Sequence, residues 1–163
     1  MIELEYPLNI NKILRKRKSI KKSLLINNDL IIKNIAILGG SSTSEIKNIL
    51  EIFLLKNGFK PSFYESEYNK YYEDALFGNE ELSKFKPDII FIHTTNRNIL
   101  NFPEYIDSAK TVDKLLSNEI KKYQSIWNSL SKFECAIIQN NFDYTENRSL
   151  GNLDCYDIHG KTY

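Results

Sequence analysis

The chain has 163 residues, 42% hydrophobic and 26% charged, enough to bury the core of one globular domain and too apolar for a disordered chain. With 22 basic against 21 acidic residues the net charge is +1, so no overall field draws it to nucleic acid or to an anionic membrane. No apolar stretch approaches the roughly 18 residues of a membrane helix, Met1 to Tyr6 lacks the pattern of a secretion leader, and Cys135 and Cys155 make neither a disulfide framework nor a metal site. The expected setting is a reducing cytoplasm, with no metal and no cofactor.

Asn9 to Leu25 reads as a helix with Ile10, Ile13, Leu14 and Ile20 on its apolar side. Its basic run, from Lys12 through Arg15 to Lys18 and on to Lys21 and Lys22, is read as a solvated face. It lacks the aromatic interleaving of an RNA-binding surface. This helix and its lead-in, residues 1–33, precede an α/β domain expected over 34–163. Ile35-Ala36-Ile37-Leu38 is a continuous apolar run, the pattern of a strand covered on both faces. Ser44 to Lys56 follows as a helix, with apolar residues at Ile46, Ile49, Leu50, Phe53 and Leu54, and Asn57-Gly58 stops it.

Ser62 to Glu65 predicts a second strand. Helical spacing then runs from Tyr68 to Leu76, and a short helix covers Glu80 to Phe85. Ile89 to Ile92 is the clearest strand in the chain. A long helix over about Ser108 to Lys132 and a strand over Cys135 to Ile138 complete the pattern; beyond Phe142 no element is assigned. Strands alternating with helices predict a three-layer αβα architecture around a parallel sheet.

In such a sheet, ligands bind outside the carboxyl ends of the strands. Four apolar runs stop there in small or polar residues: Gly39-Gly40-Ser41-Ser42-Thr43, Glu65-Ser66, His93 through Asn98, and Gln139-Asn140-Asn141. The substrate pocket is expected among Gly39, Gly40, Ser42, Thr43, Glu65, Thr94, Asn98 and Asn140. Two glycines permit a sharp turn, and the next residues open a helix whose free N–H groups can hold an anion or oxyanion. One hydroxyl of Ser41, Ser42 or Thr43 is expected to cap that helix. No Lys follows Gly40 as a P-loop requires, and no third glycine completes a dinucleotide fingerprint. Asn96 can donate to an oxyanion or form an Asx turn. His93 is read as a packed strand-end residue, and Asp154, Asp157 and His159 as either an acid–base grouping or loop residues.

These residues resemble a known family. Leu38-Gly39-Gly40-Ser41-Ser42-Thr43 is similar to the first block of the SGNH hydrolases, Gly-Asp-Ser, and implies Ser41 as nucleophile. Thr94-Thr95-Asn96 is similar to their third block, Gly-x-Asn-Asp, and implies Asn96 as oxyanion-hole amide. A narrower resemblance, to the N-terminal domain of FkbH-like proteins, covers nearly the whole chain. It is carried by Ile35 to Thr43, Phe63 to Tyr68, Phe85 to Ile90, His93 to Asn98, Ile138 to Phe142 and Asp157-Ile158-His159-Gly160.

In that family the SGNH-like domain, with a flavodoxin-like sheet, precedes a HAD-type domain. The family is linked to loading glyceryl groups onto acyl carrier proteins, and to polyketide or capsular polysaccharide synthesis. The chain departs from the pattern in five ways. The second-block glycine, an oxyanion donor, has no clear counterpart, Gly78 fitting poorly. Gly40 replaces the Asp before the nucleophile, and Thr94 replaces a glycine. Asp157-Ile158-His159 has one residue where Asp-x-x-His has two, and no Asp-x-Asp-x-Thr motif occurs. The expectation is a piece ending before the sheet is complete.

Two functions follow from the resemblance. One is a serine esterase or acyltransferase acting on an acyl or glyceryl ester, with Ser41 as nucleophile and Asn96 and the Ser41 N–H as oxyanion donors. His159, oriented by Asp157 or Asp154, would be its base, unless the base lies outside the chain. The other is a binding module holding an acyl carrier protein, or an acyl or glyceryl group, for a HAD-type domain. Phosphate or nucleotide binding at Gly39 to Thr43 is a third, weaker reading.

Overall fold

In the computed structural model, which describes residues 4–27, 29–143, 148 and 150–160, the apolar runs become four parallel strands. They are β1 (Ile31–Gly39), β2 (Phe59–Glu65), β3 (Ile89–His93) and β4 (Ala136–Gln139), in spatial order β2-β1-β3-β4. The register sets Ile35 beside both Phe63 and Ile89, Gly39 beside His93, and Ile92 beside Gln139, so all four strands end at one edge. β1 starts four residues earlier than its apolar run and β2 three residues earlier than expected, because the two extend together from the pair Ile31 and Phe59. Pro61 fits within β2 because β2 is an edge strand.

Helices α1 (Ile10–Leu24), α2 (Ser44–Lys56), α3 (Tyr71–Leu76), α4 (Glu80–Phe85) and α5 (Ala109–Leu130) cover the two faces, giving the three-layer αβα fold. Alternate residues of the central strands, Ala36, Leu38, Ile90 and Ile92, face α3, α4 and α5 and pack with Tyr71, Ala75, Leu82, Ile126 and Leu130. Ile35 and Ile37, one residue out of phase, are buried on the other face. There α1 lies against α2 through Ile13, Ile20 and Ile52, with Leu4 in the same cluster. Of the apolar residues assigned to the inner side of α1, Ile10 and Leu14 are exposed; only Ile13 and Ile20 reach the core.

The basic run stands largely in solvent. Arg17 pairs with Glu45 at 3.1 Å and Lys21 with Glu51 at 2.7 Å, tying α1 to α2. Asn9 caps α1, Asn79 caps α4 and Ser108 caps α5. α3 starts at Tyr71 rather than Tyr68 because Asn69 adopts a left-handed conformation with φ 59°, which interrupts the helical path and leaves Tyr68 exposed. No helix among the described residues is long and apolar enough to cross a membrane.

Candidate functional site

The strand order places the topological switch between β1 and β3, where crossovers leave in opposite directions and a crevice opens at the carboxyl edge. β1 is stitched to both neighbours there. Gly39 N–H donates to Ser66 Oγ at 2.9 Å, and Gly40 N–H donates to the His93 carbonyl at 2.8 Å. The chain beyond β3 then turns back over Gly40 through a single turn of 3₁₀ helix, Asn96–Asn98, capped by Thr95.

Asn98, 7% exposed, is the side chain this turn delivers. Its Nδ2 donates to the Gly40 carbonyl at 2.9 Å and to Asn69 Oδ1 at 3.2 Å, and its Oδ1 accepts the Thr95 N–H at 2.8 Å. The Asn98 carbonyl accepts Lys122 Nζ at 2.7 Å, and Glu119 pairs with Lys122 at 3.1 Å while accepting the Leu100 N–H at 3.3 Å. The long helix α5 thus grips the β3 loop through an i,i+3 pair on its inner side. A Cβ at Gly40 would lie 2.5–2.6 Å from three atoms of the Asn98 amide, so residue 40 is glycine because Asn98 fills that space. A Cβ at Gly39 would meet Thr43 Cγ2 at 2.8 Å and the Ser41 carbonyl at 2.9 Å, which makes the turn equally close.

Thr43 occupies the N-cap position of α2, but its hydroxyl makes no capping bond; it donates to Glu65 Oε1 at 2.5 Å. Lys47 completes a Thr43–Glu65–Lys47 cluster through Glu65 Oε2. Burial alone would raise the Glu65 carboxyl, but the Lys47 ammonium and the Thr43 hydroxyl outweigh it and hold it below its ordinary value. The expectation that one of the three hydroxyls caps α2 therefore fails for Thr43: its backbone is already helical, φ −109° and ψ −5°, instead of extended as an N-cap requires, and its hydroxyl is turned to Glu65. Ser41 is half-buried and Ser42 exposed. Among the described residues neither their hydroxyls nor their N–H groups are engaged in a hydrogen bond.

Thr94 is fully buried, and Asn140 brackets its main chain. The Asn140 carboxamide accepts the Thr94 N–H at 3.0 Å and donates to the Thr94 carbonyl at 2.7 Å, continuing the β3–β4 ladder by a side chain. Gln139 donates to Thr94 Oγ1 at 3.4 Å and accepts Trp127 Nε1 at 2.7 Å. Asn96, the residue assigned to the oxyanion hole, is half-buried, and its N–H donates to Asp143 Oδ1 at 2.7 Å. The amide that donates to the Gly40 carbonyl belongs to Asn98. Sequence reasoning placed Ser66 at the carboxyl edge without a role, and missed Asn69, Lys47, Glu119 and Lys122. Only the i,i+3 pair of Glu119 and Lys122 carried a signal, as charges within an otherwise apolar helix face.

Asp157 and His159 do pair. A turn, not an extended segment, joins them, and His159 Nδ1 lies 2.9 Å from Asp157 Oδ1. The other nitrogen, Nε2, lies 2.9 Å from the Asp107 carbonyl, and the ring stacks on Tyr105 with centroids 6.0 Å apart. Nε2, which a serine's base must keep open, is therefore directed at the chain ahead of α5. The Asp107 carbonyl and the Asp157 carboxylate raise the His159 pKa, and His159 in turn lowers that of Asp157. His93 ends β3 with its ring against Phe91, centroids 5.9 Å apart. Asp154, the other candidate acid, is buried and accepts the Leu150 N–H at 3.4 Å. No group of three metal-ligating side chains occurs among the described residues. An open groove beside Phe77, Gly78 and Lys86 lies at the opposite end of the sheet, where Asn34 Nδ2 donates to the Phe85 carbonyl at 3.1 Å.

No protein-family model and no curated protein matches the chain. Among solved structures, the N-terminal part of the protein BF1531 from Bacteroides fragilis, which contains a phosphatase domain and was crystallised with Mg, is similar with a TM-score of 0.67 at 16% identity. The match covers 89% of this chain and 38% of that one, so the chain spans well under half the length of that structure. What the likeness shows is the fold: a parallel α/β domain of three layers, shared with part of a larger protein.

Proposed function

We propose that the chain is an SGNH-hydrolase-like N-terminal domain of the FkbH-like type, and that its Ser41 loop binds an acyl or glyceryl ester without turning it over. The observation that carries this reading is the occupation of both His159 ring nitrogens, by Asp157 and by the Asp107 carbonyl. Serine is a weak nucleophile until a base takes its proton, and in this arrangement each ring nitrogen of His159 is turned to an acceptor oxygen and not open to a serine hydroxyl. The switch-point crevice, the Gly40–Asn98 contact and the unengaged N–H groups of Ser41 and Ser42 support a preformed cradle for a carbonyl or alkoxy oxygen. The partners in this reading are an acyl carrier protein or a HAD-type domain, in polyketide or capsular polysaccharide synthesis. The setting is the cytoplasm, where Cys135 and Cys155 stay reduced, and the loaded group is passed on rather than hydrolysed.

A second reading, an acyltransferase with Ser41 as nucleophile, is favoured by the same two N–H groups acting as oxyanion donors. It needs His159 to leave Asp107. Turnover of p-nitrophenyl acetate separates the two. We expect the full chain and Ser41→Ala to give the same near-background rate. A rate in the full chain that Ser41→Ala lowers by about a thousandfold, the scale of removing a triad member, would establish the second reading.

A further inference from the structure

We infer that His159 is a pH-sensitive latch, its imidazolium fastening the segment 150–160 to the loop ahead of α5. Both acceptors that face the ring can only accept. The Asp107 oxygen is a backbone carbonyl and the Asp157 oxygen belongs to a carboxylate, each 2.9 Å from a ring nitrogen. A neutral imidazole carries one N–H and satisfies one of them; only the doubly protonated ring satisfies both. Among the described residues, the groups facing it are few. On its own segment there is Asp157, which also accepts the His159 N–H at 2.8 Å. From the opposing loop come the Tyr105 ring and Asp107, whose carboxylate accepts the Glu104 N–H at 2.7 Å.

The segment is closed on itself behind the latch. Gly160 N–H donates to the Asp157 carbonyl at 2.9 Å, and a Cβ on Gly160 would fall 1.7 Å from the Asp154 carbonyl oxygen, so only glycine permits this closure. The loop that receives the ring leads straight from Asn98 and Leu100, the residues held by Lys122 and Glu119. Fastening the segment therefore anchors the far end of the loop that shapes the Gly40 turn. The inference goes beyond ester binding and holds whether or not Ser41 ever attacks a substrate.

The sign of the pH effect follows from the direction of the shift. The Asp107 carbonyl, then Asp157, raises the ring's pKa above its ordinary 6.5. Docking is then fully supported below 6.5 and weakens as pH rises through the raised value. The test is NMR of the full chain between pH 5.5 and 9. It follows the two histidine rings, with His159→Gln identifying the signal, and the backbone amides of Leu153, Tyr156 and Gly160. The His159 ring should titrate above the ordinary histidine value, and the three amides should shift with the same midpoint. In Asp157→Asn the midpoint should fall. In Gly160→Ala, where the closure cannot form, it should return to the ordinary value, with the amides in their high-pH positions throughout. A wild-type ring that titrates at or below the ordinary value, amides that ignore the titration, or a midpoint unmoved in Gly160→Ala would each overturn the latch.

Discussion

Gly40→Ala should lower the melting temperature by roughly 6–12 °C, the shift that about 3 kcal/mol produces in a chain of this size. The added methyl would sit 2.5–2.6 Å from three atoms of the Asn98 amide. That amide cannot swing aside cheaply, because Gly40, Asn69 and Thr95 all hold it and Lys122 fixes its carbonyl. Overpacking of a close-packed site costs about 1–3 kcal/mol, and leaving the buried Gly40 carbonyl and Thr95 N–H without their partner adds about 1–3 kcal/mol. The double variant Gly40→Ala/Asn98→Ala checks the cause. Shortening Asn98 makes room for the methyl, so the double variant should melt close to Asn98→Ala alone instead of showing the sum. Additive losses would mean that the added methyl clashes with something other than Asn98.

The second large effect separates two asparagines that stand two residues apart. Asn98→Ala should destabilise the chain by about 2–3 kcal/mol, because it strands a buried carbonyl and a part-buried N–H whose hydrogen bonds it supplied. Asn96→Ala should cost less than Asn98→Ala by about 1 kcal/mol or more, since its side chain is half-buried where that of Asn98 is enclosed. Chemical denaturation of the two variants beside the parent decides it. Equal losses, or a larger loss for Asn96→Ala, would contradict the assignment of the structural amide to Asn98.

The sheet was legible in the sequence because Ile35 to Leu38 and Ile89 to Ile92 are apolar without alternation, which only a strand covered on both faces tolerates. The carboxyl-edge loops were legible for the same reason, since each run ends abruptly in small or amide residues. What the sequence hid depends on contacts far apart along the chain. The Asn98 amide reaches a carbonyl 58 residues away, and nothing local distinguishes it from Asn96. Thr43 has the identity and position of a cap, but its backbone is helical instead of extended and its hydroxyl is turned to Glu65, 22 residues on. Ile10 and Leu14 follow helical spacing, yet α1 meets α2 along a narrow strip reached by Ile13, Ile20 and, in part, Leu24. The one-residue spacing of Asp157 and His159 would put their side chains on opposite sides of an extended segment; the turn there brings the two together, and the ring's second nitrogen then finds Asp107.

The most direct test of the proposed function is a single titration of the isotope-labelled full chain with glyceryl monobutyrate, watched by NMR through both protein and ligand signals. The account predicts amide shifts concentrated at Gly39 to Thr43 and Thr94 to Asn98, with the ester intact throughout. Shifts confined to other surfaces, or butyrate released at a rate that Ser41→Ala abolishes, would contradict it.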